Sequence, residues 1–274
     1  RLGTIQRQCD DPARVGLAAA LLLAGLAMVG ARLPRSSGTW FRLAVMGCPN
    51  NLLPFGLLFW AQVQIGAGHA SILNAMTPMF SVLLAPFFVT DERLTLARMA
   101  GILIGIAGVG LLVGPAARSG FGGDLLAQFA CLGATLSYAF AGIYGRRFNA
   151  LPPSVTAAGQ LLASTVLLFP VVLVIDRPWS LAVPRIETWL ALLALASFST
   201  ALAYLVYFRI LATAGATNLL LVTLLLPPGS ILLGVLLLGE AVVMRHLVGL
   251  AIIALGLVVL DGRPLRWLAF RIAR

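Results

Sequence analysis

The chain has 274 residues, yet no lysine, only nine carboxylates, two histidines and three cysteines. Only ten per cent of its residues are charged, against about a quarter in a soluble domain, which excludes an ordinary water-soluble fold. Cys9, Cys48 and Cys131 are widely spaced and form no CxxC pattern, and His69 and His246 stand far apart in the sequence. Neither a disulfide framework nor a dedicated metal centre is expected, and no cofactor is implied. No aspartate or glutamate lies near the centre of an apolar run, which argues against tight proton coupling through an intramembrane acid. His69 is the one group that could relay a proton, and its place at the start of a run reads as a loop residue.

What is abundant is apolar: 60% of the chain is hydrophobic and the mean hydropathy is +1.00. A bilayer core of about 30 Å takes roughly 20 apolar residues per helix. Nine segments qualify: Val15–Leu33, Leu43–Ile65, Ala70–Val89, Leu96–Val113, Leu125–Tyr144, Val155–Ile175, Trp189–Leu211, Leu219–Leu238 and Leu247–Leu260. Strands of a membrane barrel would alternate apolar and polar residues over about ten positions, and these runs do not. The fold class is therefore an all-α integral membrane protein, multi-pass, with the lipid bilayer as a partner. The net charge of +10 comes from nineteen arginines. They sit at the ends of the apolar runs, the placement of a positive-inside signal and of headgroup contact, so no nucleic acid is expected as a partner.

Residues 70–113 and 218–261 read as copies about 148 residues apart. Each is a long apolar run with proline, a polar corner with glutamate, and a second run punctuated by glycine. Glu92 matches Glu240, Gly101 matches Gly249, Ile104 matches Ile252 and Gly108 matches Gly256, with Pro78 and Pro227 one residue out of register. Internal repeats in a polytopic membrane protein point to a transporter. At this offset the partner of the fifth segment falls before residue 1, leaving four segments in the first half and five in the second. Five is odd, so equivalent helices would run in opposite directions. The expectation is a two-fold inverted repeat of five plus five helices, ten in all, of which the first is missing here. The domain reading is a first repeat at residues 1–116, a second at 117–262 and a basic tail at 263–274. Arg32, Arg35, Arg42, Arg93, Arg98, Arg146, Arg147, Arg209 and the arginines of the tail fall on one side of the membrane. Arg118, Arg177, Arg185, Arg245 and the N-terminal arginines fall on the other. The positive-inside rule puts the C-terminus in the cytoplasm.

The sequence "NNLLPFGLLFWAQVQIGAGHASILNAMTPMFSVLLA" from Asn50 to Ala85, followed by "DERLTLARMAGILIGIAGVGLL" from Asp91 to Leu112, resembles the EamA-type transporters of the drug/metabolite transporter superfamily. So do "GATNLLLVTLLLPPGSILLGVLLLGE" from Gly215 to Glu240 and "HLVGLAIIALGLVVLDGR" from His246 to Arg263. The resemblance covers essentially everything after about Pro12. It implies two EamA domains and the export or exchange of small metabolites across a bacterial inner membrane.

Polar side chains inside a bilayer are costly and become candidates for function when they face the bundle interior. The second segment carries Asn51, Trp60 and Gln64, of which Trp60 and Gln64 share a helical face with Asn50 further along it. The third carries Asn74, Thr77 and Pro78, and the fifth Tyr138. Thr200, Tyr204 and Tyr207 of the seventh follow i, i+4, i+7 spacing and form one stripe. The eighth carries Asn218, Thr223, Pro227 and Pro228. The functional reading is a midplane cavity of neutral hydrogen-bonding groups that binds a small-molecule solute, with Pro78, Pro227 and Pro228 as hinges. The competing reading is interhelical packing glue at about 1 kcal/mol per group. Gly101 and Gly105 form a GxxxG pair whose use is packing within the chain, or else a homodimer contact. Glu92 and Glu240 at the segment ends read as helix-terminal partners. The function expected is a secondary transporter, an exporter or exchanger of small organic metabolites or drugs by alternating access. The alternatives are an intramembrane enzyme, which would need a nucleophile with a positioned base or an acidic cluster, and a non-transporting membrane subunit. Neither enzyme signature is visible in the sequence, so it does not read as an enzyme.

Overall fold

The computed structural model describes residues 2–89, 95–118, 123–175, 186–220, 222, 226–238 and 243–261. Every regular element among them is helical. The elements are α1 (Leu2–Met28), α2 (Ser37–Gly47), α3 (Leu53–Ile65), α4 (Ala67–Asn74), α5 (Thr77–Phe88), α6 (Leu96–Arg118), α7 (Gly123–Gly145), α8 (Pro153–Ile175), α9 (Ile186–Ala194), α10 (Ala203–Leu220), α11 (Leu226–Leu238) and α12 (Met244–Asp261). Among the described residues six helical spans are long and apolar enough to cross a membrane: Ser37–Ile65, Gly68–Phe88, Leu96–Val113, Asp124–Phe148, Pro153–Pro170 and Ile186–Gly215. Ala13–Met28 and Met244–Leu260 are shorter apolar helices. This is the all-α membrane class read from the sequence, because in lipid only a helix satisfies its own backbone. Thr223, Glu92, Glu240 and the tail lie outside the described residues.

Three segments expected to run unbroken are interrupted. Between α2 and α3 the residues Cys48–Leu52 form a π-helical stretch, and Leu195–Leu202 form another between α9 and α10. The third segment breaks at Ala75 and Met76 between α4 and α5, with Pro78 in the first turn of α5. That position tolerates proline because its N–H would lack an intrahelical acceptor anyway. Pro227 and Pro228 hold the same place in the first turn of α11. Gly66 has φ 77°, ψ 158° and Gly215 has φ 80°, ψ 170°, a region essentially reserved for glycine. Each of these pairs is separated by nearly the repeat offset, so the duplication is written into the backbone as well as the sequence. At the N-terminus α1 begins at Leu2, well before the apolar run that starts at Val15.

The chain folds into two compact units that cut across the sequence repeats. One comprises residues Arg1–Leu53 and Tyr144–Gly215, the other Pro54–Ile143 and Ala216–Arg274. In the first unit α1 packs on α8, on α9 and on the Leu195–Leu202 stretch, while α8 packs on α2 and on Cys48–Leu52. The repeat exchanges α1 with α8 and α2 with α9, so these are one set of contacts made twice.

In the second unit α6 packs on α12 through glycines, and α4 packs on α11 and α12. A methyl at Gly101 would stand 2.5 Å from the Gly256 carbonyl oxygen, and one at Gly256 would stand 2.6 Å from that of Gly101. One at Gly108 would meet the Gly249 carbonyl at 3.1 Å. Gly101 pairs with Gly256 and Gly108 with Gly249, so the two helices are antiparallel. They are also repeat equivalents, and these two copies therefore run in opposite directions. Gly105 packs against Met79 and Met76 rather than against α12 alone. Both glycines of the GxxxG pair are thus used within the chain. Ile72, Leu73, Met76, Met79, Leu112, Ile253 and Leu257 fill the core around this seam. Between apolar helices in lipid, such close packing rather than exclusion of water supplies the attraction.

Candidate substrate site

Unit one contains a buried polar cluster where an apolar bundle would otherwise continue. Asn51 lies in the Cys48–Leu52 π-helical stretch, whose extra residue per turn turns its side chain inward. Gln160 and Ser164 come from consecutive turns of α8, and Tyr204 from the first turn of α10. Asn51 and Gln160 are 0% exposed and Ser164 is 1% exposed. The Asn51 Oδ1 accepts from Gln160 Nε2 at 2.6 Å, from the Tyr204 hydroxyl at 3.1 Å and from Ser164 Oγ at 3.3 Å. Gln160 Nε2 also reaches Ser164 Oγ at 3.0 Å. Three donors thus converge on one carbonyl oxygen. Gly47, immediately before the π-helical stretch, makes the approach of α8 possible, since a methyl there would sit 2.8 Å from Ser164 Oγ.

The cluster is incompletely satisfied. Among the described residues Asn51 Nδ2, Gln160 Oε1 and the Tyr207 hydroxyl are buried without a hydrogen-bond partner. Tyr207 stacks on Tyr204 with centroids 6.1 Å apart, and Phe208 meets Tyr207 edge-on at 5.1 Å. Arg14 of α1 stands within electrostatic range of Tyr204. A buried orphan amide costs about 1–3 kcal/mol, a penalty that a bound polar molecule with both a donor and an acceptor would relieve.

The expected site residues separate between the two units. Asn51, Thr200, Tyr204 and Tyr207 belong to the first. Thr200 is buried and donates to the Leu195 carbonyl at 3.4 Å, five residues back, as a π-turn allows. Trp60, Gln64, Asn74, Thr77, Tyr138 and Asn218 belong to the second. Trp60 is 46% exposed and Gln64 is also exposed, whereas Asn50 is buried. The single helical face drawn through Asn50, Trp60 and Gln64 is broken by the π-helical stretch, since one extra residue rotates the rest of the helix by about 100°. Thr77 is buried and donates to the Asn74 carbonyl at 2.6 Å and to Asn74 Oδ1 at 3.3 Å. Both therefore serve the break between α4 and α5. Tyr138 is half-buried in α7, and Asn218 lies on α10. Pro227 is buried and Pro228 exposed.

Sequence reasoning misses Gln160 and Ser164, although they are polar residues in an otherwise apolar segment, the same signal that marks the others. His69 departs from its reading as a loop residue. It lies inside α4, 7% exposed, with its ring 4.7 Å from that of His246. Gly66 supplies the sharp corner, so α4 starts before the apolar run does.

The profile of the EamA-like transporter family matches residues 13–114 and 125–260, both copies of the repeat. The chain belongs to this family. It is a multi-pass membrane transporter, not an enzyme. It is 35% identical over 99 residues to a "Probable terminal-alkyne amino-acid exporter" of Streptantibioticus cattleyicolor, a match covering 36% of this chain and 33% of that protein. An "Uncharacterized transporter YvbV" of Bacillus subtilis is 25% identical over 244 residues, covering 85% of this chain and 77% of that one. A WAT1-related chloroplastic protein of Arabidopsis thaliana is 27% identical over 242 residues, 85% of this chain and 58% of that one. One solved crystal structure superposes with a TM-score of 0.67 over 93% of this chain and 88% of the other at 24% identity, a likeness of fold.

Proposed function

We propose that this transporter is a secondary exporter or exchanger of small polar organic solutes, bound at the Asn51–Gln160–Ser164–Tyr204 cluster. The observation that carries the reading is a buried hydrogen-bonding group with unused capacity: the Asn51 amide N–H groups, the Gln160 carbonyl and the Tyr207 hydroxyl. These suit a solute bearing an oxygen acceptor and an N–H or O–H donor, flanked by the Tyr204–Tyr207 ring stack. Amino acids and their derivatives fit, and the name of the Streptantibioticus relative favours testing them first. The inverted repeats at 1–116 and 117–262 would exchange access to the site between the two faces of an inner membrane, with the tail 263–274 in the cytoplasm. Trp60, Gln64, Asn74, Thr77, Tyr138, Asn218 and Thr223 are further candidates for contact with the solute, and Pro78, Pro227 and Pro228 for the flexing points.

Counterflow of a labelled amino-acid and metabolite panel into proteoliposomes tests this. Tyr207→Phe is the discriminating variant, because it removes a hydroxyl with no partner among the described residues. Flux of the accepted solute should fall at least fivefold while the melting temperature stays within a degree or two. Unchanged flux in Tyr207→Phe and in Gln160→Leu would refute the site.

A further inference from the structure

We propose that His69 and His246 form a two-imidazole site for a divalent transition metal such as Zn²⁺, Ni²⁺ or Cu²⁺, clamping α4 to α12 within the second unit. The two residues come from separate helices that pack on each other. Their ring centroids are 4.7 Å apart and their planes are inclined by 46°. Each Nε2 is enclosed and has no hydrogen-bond partner among the described residues. An enclosed imidazole that leaves a ring nitrogen unused is poorly satisfied as a packing residue.

An ion held by both Nε2 atoms would lie about 3.2 Å from each ring centroid, given a metal–nitrogen bond of about 2.0–2.1 Å. With the centroids 4.7 Å apart, such an ion would meet its two ligands at roughly 95°, between the about 90° of an octahedral and the about 109° of a tetrahedral centre. Imidazole selects Zn, Cu and Ni over Mg and Ca, which prefer oxygen. The rest of the coordination shell would be water or a small anion. Arg245, next in sequence to His246, lies within electrostatic range of both rings, and its buried Nε also lacks a partner among the described residues. It opposes the cation, and at the same time offers a donor to a chloride or hydroxide carried by the metal. Two protein ligands beside one arginine set the expected affinity in the micromolar range, not the nanomolar range of a three- or four-ligand centre. The site is separate from the Asn51 cluster and belongs to the other unit, so it stands or falls independently of the solute-binding proposal.

The test uses the full chain, purified without a histidine tag and stripped with chelator. Isothermal titration with Zn²⁺ and with Ni²⁺, and melting temperature with and without each ion, should give one ion per chain. They should also give a melting shift of several degrees that chelator reverses. His69→Ala and His246→Ala should each weaken binding at least tenfold and abolish the shift. His69→Gln and His246→Gln keep a polar side chain of similar bulk and should fold as the parent does while losing the ion. Mg²⁺ should have no effect. Binding by the parent no tighter than by the His69→Gln, His246→Gln double variant, or ion binding without any melting shift, would overturn the clamp.

Discussion

Replacing Gly101 by alanine should separate α6 from α12 and destabilise the second unit, and the structure sets the size of the effect. The added methyl would lie 2.5 Å from the Gly256 oxygen, 2.7 Å from Leu260 Cβ and 2.8 Å from the Leu260 nitrogen. All three are backbone or Cβ atoms, so no side chain can rotate away. Non-bonded atoms in contact sit about 3.5 Å apart, and the helices would have to part by about 1 Å along a seam shared with Gly105, Gly108, Gly249 and Gly256. Overpacking of this kind costs about 1–3 kcal/mol, against a gain of about 0.5–1 kcal/mol from removing a helical glycine. Gly110→Ala, on the same helix with nothing within 4 Å, keeps the gain and meets no clash. The two variants should therefore differ by about 2 kcal/mol. At roughly 2–4 °C per kcal/mol for a chain of this size, Gly101→Ala should melt about 4–8 °C below Gly110→Ala in detergent, read by fluorescence-detected size exclusion. Gly256→Ala should resemble Gly101→Ala, since the contact is reciprocal. Equal melting of Gly101→Ala and Gly110→Ala would refute the seam and, with it, the antiparallel pairing of the repeats.

Asn51→Leu should be the most damaging single change in unit one, because it strips the acceptor from three donors at once. A loss of about 2–4 kcal/mol is expected, measured as a lowered melting temperature together with lost flux, and a stable Asn51→Leu would contradict the buried network. Gly66→Ala and Gly215→Ala should each cost about 1–3 kcal/mol from backbone strain alone, since nothing lies within 4 Å of either added methyl; thermal melts of the two should match. Single cysteines at Arg146 and Arg147 should label from the cytoplasmic face in intact cells, together with one in the 263–274 tail. A cysteine in the 176–185 loop should label from outside, and labelling of all four from one side would contradict five-plus-five topology.

Composition and periodicity alone determined the class of this protein. Lipid offers the backbone no hydrogen bonds, so long apolar runs leave helices as the way across, and the doubled glutamate, proline and glycine pattern already pointed to a duplicated design. The glycines of α6 were legible for the same reason: a row of small residues in an apolar helix exists to let another helix approach. Which helix approaches was not legible, because close contact between Gly101 and Gly256 depends on antiparallel docking of segments far apart in the chain. The candidate site was half legible. Asn51 and Tyr204 stood out as polar groups in apolar runs, but only the tertiary fold joined them to Gln160 and Ser164 and separated Trp60 and Gln64 as exposed. The cause is local and physical. A π-helical stretch inserts one residue into a regular 3.6-residue pattern, and every face drawn through it from the sequence is rotated beyond that point. The meeting of His69 with His246 had no sequence signal at all, because the side chains are brought together by packing and not by spacing.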